Sequence, residues 1–178
     1  RYFMQIEPYY PHTPSDYEVG RGSDPYFFQE LSLHVPCTQG IILLVTAGES
    51  THDMTIPANP PDDAVRSLRD YDGDAHDFHV TQEGGSDYLD DVALWAHTSD
   101  LRSGDRGLEG VQTITLIIVS VSHGRSPLLE DAAKNGGFLD LNGNNLPDSE
   151  AEWDFDGDGI ADNYLEAGEG ILLEERLM

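Results

Sequence analysis

Two apolar segments, each followed by a helical pattern, limit the fold of this chain more than any other feature. The first, IILLVTAG, covers residues 41–48, and the second, VQTITLIIVSVS, covers residues 111–122. Both are continuous and rich in β-branched residues, which is typical of strands buried on both faces in a parallel sheet. We therefore predict two core strands.

A helix is expected between these strands, in the segment DYLDDVALWAHTSDLR. Asp87 is placed as its N-cap, and Tyr88, Val92, Trp95 and Ala96 recur at helical spacing. This spacing predicts an amphipathic helix whose apolar face consists of those four residues.

The segment after the second strand, SPLLEDAAKNGG, has the signals of a complete helix. Ser126 suits the N-cap and Pro127 the first helical position, and Gly136 or Gly137 suits the end. A last helix is predicted over residues 170–177, GILLEERL. Strand, helix, strand, helix indicates an α/β fold in which right-handed crossovers place helices against a parallel sheet.

The length of 178 residues predicts one domain. Composition and motifs divide it into four segments. These are an irregular aromatic and Pro-rich segment (1–36), an α/β core (37–137), two tandem calcium-type loops inserted in the fold (138–168) and a C-terminal core helix (169–178). Because only two strands are evident, we expect the sheet to be completed by the N-terminal segment or by residues that precede this chain.

The charge balance excludes several classes of partner. Nine Lys and Arg residues face 34 Asp and Glu residues, a net charge of −25, which argues against nucleic acid and anionic membranes. The single cysteine, Cys37, excludes an internal disulfide and a Cys-based zinc site. No apolar run reaches the length of about 20 residues that a membrane span needs. The chain opens without Met or a signal peptide, so we expect a processed product or a piece of a longer, exported protein.

The segment DFDGDGIADNYLE has the ligand spacing of a calcium loop. Side chains at alternating positions of a tight loop converge on one ion, with a backbone carbonyl at position 7 and a side chain at position 9, often through water. The predicted ligands are Asp154, Asp156, Asp158, the carbonyl of Ile160, Asp162 and Glu166. Glu166 comes one residue later than in an EF-hand, so the loop is EF-like or similar to thrombospondin type 3 loops.

The preceding fourteen residues, DLNGNNLPDSEAEW, repeat this loop in register. Its predicted ligands are Asp140, Asn142, Asn144, the carbonyl of Leu146, Asp148 and Glu152. Amides replace two carboxylates, so we expect weaker binding of Ca²⁺. Asn145 stands where the second loop has Gly159, and Asn is the next best residue for a positive φ. Leu146 and Ile160 are expected to anchor their loops in the core.

A third candidate loop is RDYDGDAHDFH. Its predicted calcium ligands are Asp70, Asp72, Asp74, His76 and Asp77, with Glu83 or Asp87 folding back to close the site. Two rival interpretations are a DxD metal–nucleotide motif and a transition-metal pair of His76 and His79. Neither has the partner motif or third ligand that it needs.

Catalytic arrangements are weaker than the metal loops. Ser122 and His123 are adjacent, but the chain has no G-x-S-x-G motif. Cys37 is more consistent with a buried structural thiol than with a nucleophile. Asp90 and Asp91 are interpreted as a solvated helix face rather than an acid/base pair. We predict that the protein is not an enzyme.

Three segments together resemble a known family: CTQGIILLVTAGEST, GGSDYLDDVALWAHTSDLR, and PLLEDAAKNGGF with the acidic loops after it. They are similar to the von Willebrand factor A-like region of the type IV pilus tip adhesin and biogenesis factor family (PilC/PilY), over residues 24–177. The resemblance implies a Rossmann-like α/β domain, complete or in part, in a protein exported through the periplasm to the cell surface. It also implies pilus subunits or assembly machinery, or a host or surface receptor, as partners; other copies of the chain are the partners expected of a filament or matrix subunit.

This chain departs from the von Willebrand A pattern at its metal-dependent adhesion motifs. TAG stands at residues 46–48 where TDG is usual, and SVS at residues 120–122 has Ile118 where a DxSxS motif needs Asp. That site either lies upstream of Arg1 or is missing. The main interpretation is a calcium-binding, pilus-associated adhesion or assembly domain. The alternatives are a calcium-stabilised subunit of an extracellular filament or matrix, and an exported hydrolase with structural calcium.

Overall fold

The computed structural model describes residues 39–51, 54–61, 65–74, 85–103, 108–121 and 124–167. Strands and helices alternate in this part of the chain. Their bounds are β1 (Gly40–Thr46), α1 (Leu89–Thr98), β2 (Ile114–Ser120), α2 (Pro127–Gly137), a short 3₁₀ helix (Glu150–Glu152) and β3 (Tyr164–Glu166). The predicted segment 1–36, the predicted helix 170–177, Cys37, Ser122 and His123 lie outside the described residues.

The strands form a sheet in the order β1-β2-β3. β2 and β3 are parallel, with Ile118 opposite Tyr164. β1 follows the same direction, because Gly40 N–H donates to Thr113 O at one end and Val121 N–H donates to Thr46 O at the other. The predicted α/β class with a parallel sheet is therefore confirmed.

The third strand was not expected from the sequence. β3 lies within residues 138–168, which the sequence analysis gives to inserted loops, and it pairs directly with β2. The segment with the tandem loops thus contributes an edge strand to the described sheet.

Contacts divide the chain into two compact units, Arg1–Gly40 with Ser99–Thr113, and Ile41–Thr98 with Ile114–Met178. In the first, the Asp100 carboxylate accepts the N–H groups of Arg102 and Gln112. In the second, α1 and α2 pack against each other and against β2. The core there consists of Ala93, Leu116, Ile118, Leu129, Ala132, Ala133, Ala161 and Tyr164. All candidate metal ligands with a described position lie in this second unit.

The prediction that the strands are buried is confirmed for β2 and is wrong for β1. In β2, Leu116, Ile118 and Val119 are buried. In β1, Ile41 is 69% exposed and Leu43 59%, so the prediction that this strand is buried on both faces is wrong. β1 lies at the edge of the described three-stranded sheet, and its apolar composition did not reveal that position.

The helix signals gave α2 accurately and α1 only in part. The Ser126 hydroxyl accepts the N–H of Leu129, Pro127 begins the helix, and Gly137 ends it. α1 begins at Leu89, two residues after the predicted cap. Because α1 packs against both α2 and β2, its buried residues differ from the predicted face: they are Asp90, Asp91, Ala93, Leu94 and Trp95, with Tyr88, Val92 and Ala96 only half-buried.

Candidate metal centre

The second tandem loop is organised around the buried carboxylate of Asp154. Its Oδ1 accepts the N–H groups of Gly157 (2.8 Å) and Asp158 (3.1 Å), and its Oδ2 accepts that of Gly159 (2.8 Å). Desolvation acts against ionisation, but the N–H donors of Gly159, Gly157 and Asp158 hold the pKa of Asp154 below its usual value. The loop is therefore built to keep this carboxylate charged.

The other acids of this loop also accept backbone N–H groups with one oxygen each. Asp156 Oδ1 accepts from Asp158 N (3.1 Å), Asp158 Oδ1 from Ile160 N (2.9 Å), and Asp162 Oδ2 from Phe155 N (2.8 Å). Each carboxylate has a second oxygen, so backbone bonding and metal binding are compatible in the same side chain.

Three of these carboxylates converge. One oxygen each from Asp154, Asp156 and Asp162 lies within 4.8 Å of the other two. A cavity of about 110 Å³ beside them is lined by Asp156, Asp158, Ile160, Ala161, Asp162 and Leu165. Glu166 lies on β3, outside this group of three, and its buried Oε1 has no hydrogen-bond partner among the described residues.

The first loop repeats the same backbone arrangement, with Asp140 in the place of Asp154. Its Oδ1 accepts from Gly143 N (2.8 Å) and Asn144 N (3.1 Å), and its Oδ2 from Asn145 N (3.1 Å). The same donors, working against desolvation, lower the pKa of Asp140. Asn145 has a φ of 61°, as expected for a residue at the position of Gly159, whose φ is 78°. The predicted register of the repeat is confirmed at the level of the backbone.

The first loop differs in the hydrogen bonds between the side chains at its centre. Asn142 Nδ2 donates to Asp148 Oδ1 (2.8 Å), and Asn144 Nδ2 donates to Asp148 Oδ2 (2.7 Å). The oxygens of the two amides accept the N–H groups of Asn144 and Leu146. The amide nitrogens thus donate hydrogen bonds to both oxygens of Asp148, which ionised carboxylates at the same positions of the second loop cannot do.

The remaining ligands predicted in the tandem loops have different surroundings. Glu152 is fully buried, and its two oxygens accept the N–H groups of Leu141 and Ser149 (3.1 Å each), so the carboxylate orders the backbone of the loop. Ile160 packs against the core, as predicted. Leu146 is 37% exposed, so its predicted role as an inward anchor is wrong. It follows Asn144 and Asn145 in a turn whose residues are all exposed.

The third candidate loop gives a different grouping from the predicted one. Asp72 comes together with Asp90 of α1 and Asp131 of α2, with one oxygen from each within 4.8 Å of the others. Asp74 donates its N–H to Asp72 Oδ1, while Asp70 is exposed. His76, Asp77, His79 and Glu83 lie outside the described residues. No sequence signal joined residue 72 to residues 90 and 131, since the three lie on separate elements.

The interpretation of Asp90 and Asp91 as a solvated face is wrong. Asp90 is 3% exposed and Asp91 is fully buried. Burial, with repulsion from Asp91, Asp131 and Asp72, raises the pKa of Asp90 to about 9. Burial also raises the pKa of Asp91 to about 7, although its Oδ1 accepts the N–H groups of Tyr71 and Asp72. The segment 65–74 donates the N–H groups of Tyr71 and Asp72 to Asp91, and Asp131 of α2 lies beside Asp90, so neither acid of α1 faces solvent.

Comparisons with protein-family models, with curated proteins and with solved structures give no match to this chain. Among the described residues, no helix has the length and apolar character needed to cross a membrane.

Proposed function

We propose that this chain is a non-enzymatic, calcium-binding domain of an exported adhesion or assembly protein associated with type IV pili. The observation that carries the calcium part of this proposal is the convergence of Asp154, Asp156 and Asp162 in the second tandem loop. The pilus part comes from the sequence resemblance, and the α/β order with a parallel sheet is compatible with the Rossmann-like, von Willebrand A-like architecture that it implies.

Calcium suits the second loop because every predicted ligand is an oxygen. Ca²⁺ takes six to eight oxygens at about 2.3–2.6 Å, whereas zinc favours Cys and His. Asp154, Asp156 and Asp162 supply the first three carboxylates. Asp158, the Ile160 carbonyl and Glu166 are proposed to complete the site, with water where needed. The unpartnered buried oxygen of Glu166 is in keeping with this role.

The first loop is proposed as the weaker site. An ion can be bound by all the side chains of this loop only after two hydrogen bonds break. These are the bonds that the amides of Asn142 and Asn144 donate to Asp148, which with Asp140 would then be free to bind the ion. Glu152 is already committed to backbone N–H groups. Both effects lower the affinity of this loop relative to the second one.

Calcium at the second loop would act mainly on stability. Asp162 is followed directly by Asn163, whose carbonyl accepts the N–H of Ile118 in β2. An ion at this loop would therefore fix the chain where it enters β3. Because an ion that binds only the folded state contributes RT ln(1 + [Ca²⁺]/Kd), a hundredfold excess over Kd would add about 2.7 kcal/mol to the free energy of unfolding.

Titration calorimetry of chelator-treated protein with CaCl₂ tests this proposal. We expect the wild type to bind at least one Ca²⁺, and Asp156→Asn to weaken the tightest tandem-loop site at least tenfold, because a neutral amide replaces a central ligand. Glu150→Gln is the matched control, since Glu150 is exposed, belongs to the same segment and lies outside the carboxylate group. Absence of calcium binding in the wild type, or equal binding by Asp156→Asn, would contradict the proposal.

Co-sedimentation with purified type IV pili tests the proposed partner. We expect the wild-type chain and Glu150→Gln to sediment with pili in calcium, and Asp156→Asn to do so less. A chain that binds calcium but stays in the supernatant under every condition would refute the association with pili and leave calcium binding in place.

A further inference from the structure

A second carboxylate cluster, formed by Asp72, Asp90 and Asp131, lies apart from the tandem loops. Asp72 belongs to the segment 65–74, Asp90 is the second residue of α1, and Asp131 is the fifth residue of α2. One oxygen from each lies within 4.8 Å of the other two. Three separate parts of the second unit thus contribute acids to one point.

The carboxylates of this cluster differ in how many hydrogen bonds they accept from other protein groups. Asp90 is 3% exposed, and its Oδ1 has no hydrogen-bond partner among the described residues. In contrast, Asp72 is oriented on both sides, since its Oδ1 accepts Asp74 N–H (3.0 Å) and its Oδ2 accepts Asn135 Nδ2 (2.9 Å). A buried acceptor left without a partner beside two other carboxylates is stabilised by a cation, a proton or an ordered water molecule.

The positive charge supplied by the described protein groups is small. Lys134 Nζ lies 3.2 Å from Asp131 Oδ1, and the Lys134 side chain is 32% exposed. Buried Asp91 lies next to Asp90 on the same helix and adds repulsion. A single, partly solvated ammonium group at one edge does not balance this group of acids.

We infer that Asp72, Asp90 and Asp131 form a distinct divalent-cation site, selective for Ca²⁺ or a similarly hard ion, which joins the segment 65–74 to α1 and α2. The ligands are carboxylate oxygens without any described nitrogen or sulfur donor, which favours calcium or magnesium over zinc. This inference does not depend on calcium binding by the tandem loops.

A cleft gives such an ion access and room for water ligands. It has a volume of about 380 Å³ and borders both Asp90 and Asp131. Lys134 and Trp153 line the same cleft, with Lys134 Nζ 5.9 Å from the centre of the Trp153 ring. An ion in the cluster can therefore complete its coordination with water from the cleft, since calcium needs more oxygens than three carboxylates provide.

The competing account is that a proton neutralises Asp90. Burial and the neighbouring acids favour a protonated carboxyl in the absence of metal. Asp90→Asn separates the two accounts, because an amide has nearly the shape of a protonated carboxyl but is a poorer cation ligand.

Calorimetric titration with CaCl₂ and thermal unfolding with and without a chelator form the experiment. We expect Asp90→Asn and Asp131→Asn each to bind one Ca²⁺ fewer than the wild type, or to bind it at least tenfold more weakly, and to lose part of the calcium-dependent rise in Tm. Glu150→Gln is the control, because Glu150 is an exposed acid that belongs to neither carboxylate group and does not line the cleft. It should bind calcium as the wild type does.

The variants also separate this site from the tandem loops. In an Asp156→Asn background, binding at the cluster should persist, and adding Asp90→Asn should remove it. If Asp156→Asn changes nothing while Asp90→Asn loses an ion, the tandem-loop proposal fails and this one stands. If Asp90→Asn and Asp131→Asn both bind as many ions as the wild type, with unchanged affinity, the cluster is neutralised by a proton and the inference is overturned. Asp131 is half-buried, so its variant decides the matter if Asp90→Asn does not fold.

Discussion

At the scale of single residues, the tandem loops show how one backbone design is used with two sets of side chains. Asp140 and Asp154 hold three N–H groups each in the same pattern. What differs is the chemistry at the centre. Amides donate to Asp148 in the first loop, whereas acids at the equivalent positions of the second loop have no protons to donate when ionised. The hydrogen bonds from the amides hold the centre of the first loop together, and the second loop has no amides at the equivalent positions to form such bonds.

Asn145 gives a direct test of the predicted left-handed turn. Because its φ is 61°, Asn145→Ala should lower the free energy of unfolding by about 1 kcal/mol, since Ala lacks the short polar side chain that lets Asn adopt the left-handed region. Asn145→Gly is the control and should be neutral within a few tenths of a kcal/mol, since Gly occupies the equivalent place in the second loop. Urea denaturation measures both. Equal destabilisation by Ala and Gly would mean that the Asn side chain, rather than the backbone angle, matters.

At the scale of elements, the sequence predicted the helices and strands whose ends are determined by residues close together in the chain. The second helix was readable because its cap, its proline and its final glycines lie within twelve residues. β3 was missed because it has three residues and follows an acidic loop without a strand pattern. The exposure of β1 and the burial of Asp90 were missed because both depend on which elements pack nearby, and this information is not local in the sequence.

Gly137, at the end of α2, is one of the two glycines that the sequence predicts as the helix stop, and it also has a packing role. A Cβ there would lie 2.1 Å from Asn163 Nδ2, which donates to Leu116 O and Ala133 O (2.6 Å each). Asn163 thereby joins β2, α2 and the entry to β3. We expect Gly137→Ala to lower the free energy of unfolding by about 1–3 kcal/mol, through the clash or the loss of these bonds.

Gly48→Ala is the matched control for Gly137→Ala. No atom lies within 4 Å of a Cβ added at Gly48, and its φ is not positive, so the substitution should have little effect. Chemical denaturation of the two variants gives the comparison. If Gly137→Ala is as stable as Gly48→Ala, Asn163 does not hold these elements together in the way described.

At the scale of the whole molecule, the charge of −25 is partly concentrated where carboxylates meet. The two groups have different surroundings: Asp154, Asp156 and Asp162 lie in one continuous loop, whereas Asp72, Asp90 and Asp131 come from distant parts of the sequence. The sequence predicted the first group because the spacing of a calcium loop is local. It predicted only Asp72 of the second, since nothing in the spacing of residues 72, 90 and 131 reveals that folding joins them.

The central claim is that the second tandem loop is a calcium site, and a crystal grown in CaCl₂ tests it most directly. Anomalous difference density, recorded at a wavelength where calcium scatters anomalously, should show a peak between Asp154, Asp156 and Asp162, with oxygens at about 2.3–2.6 Å. The peak should disappear in Asp156→Asn or weaken strongly. An ordered loop without an anomalous peak at millimolar calcium would contradict the account.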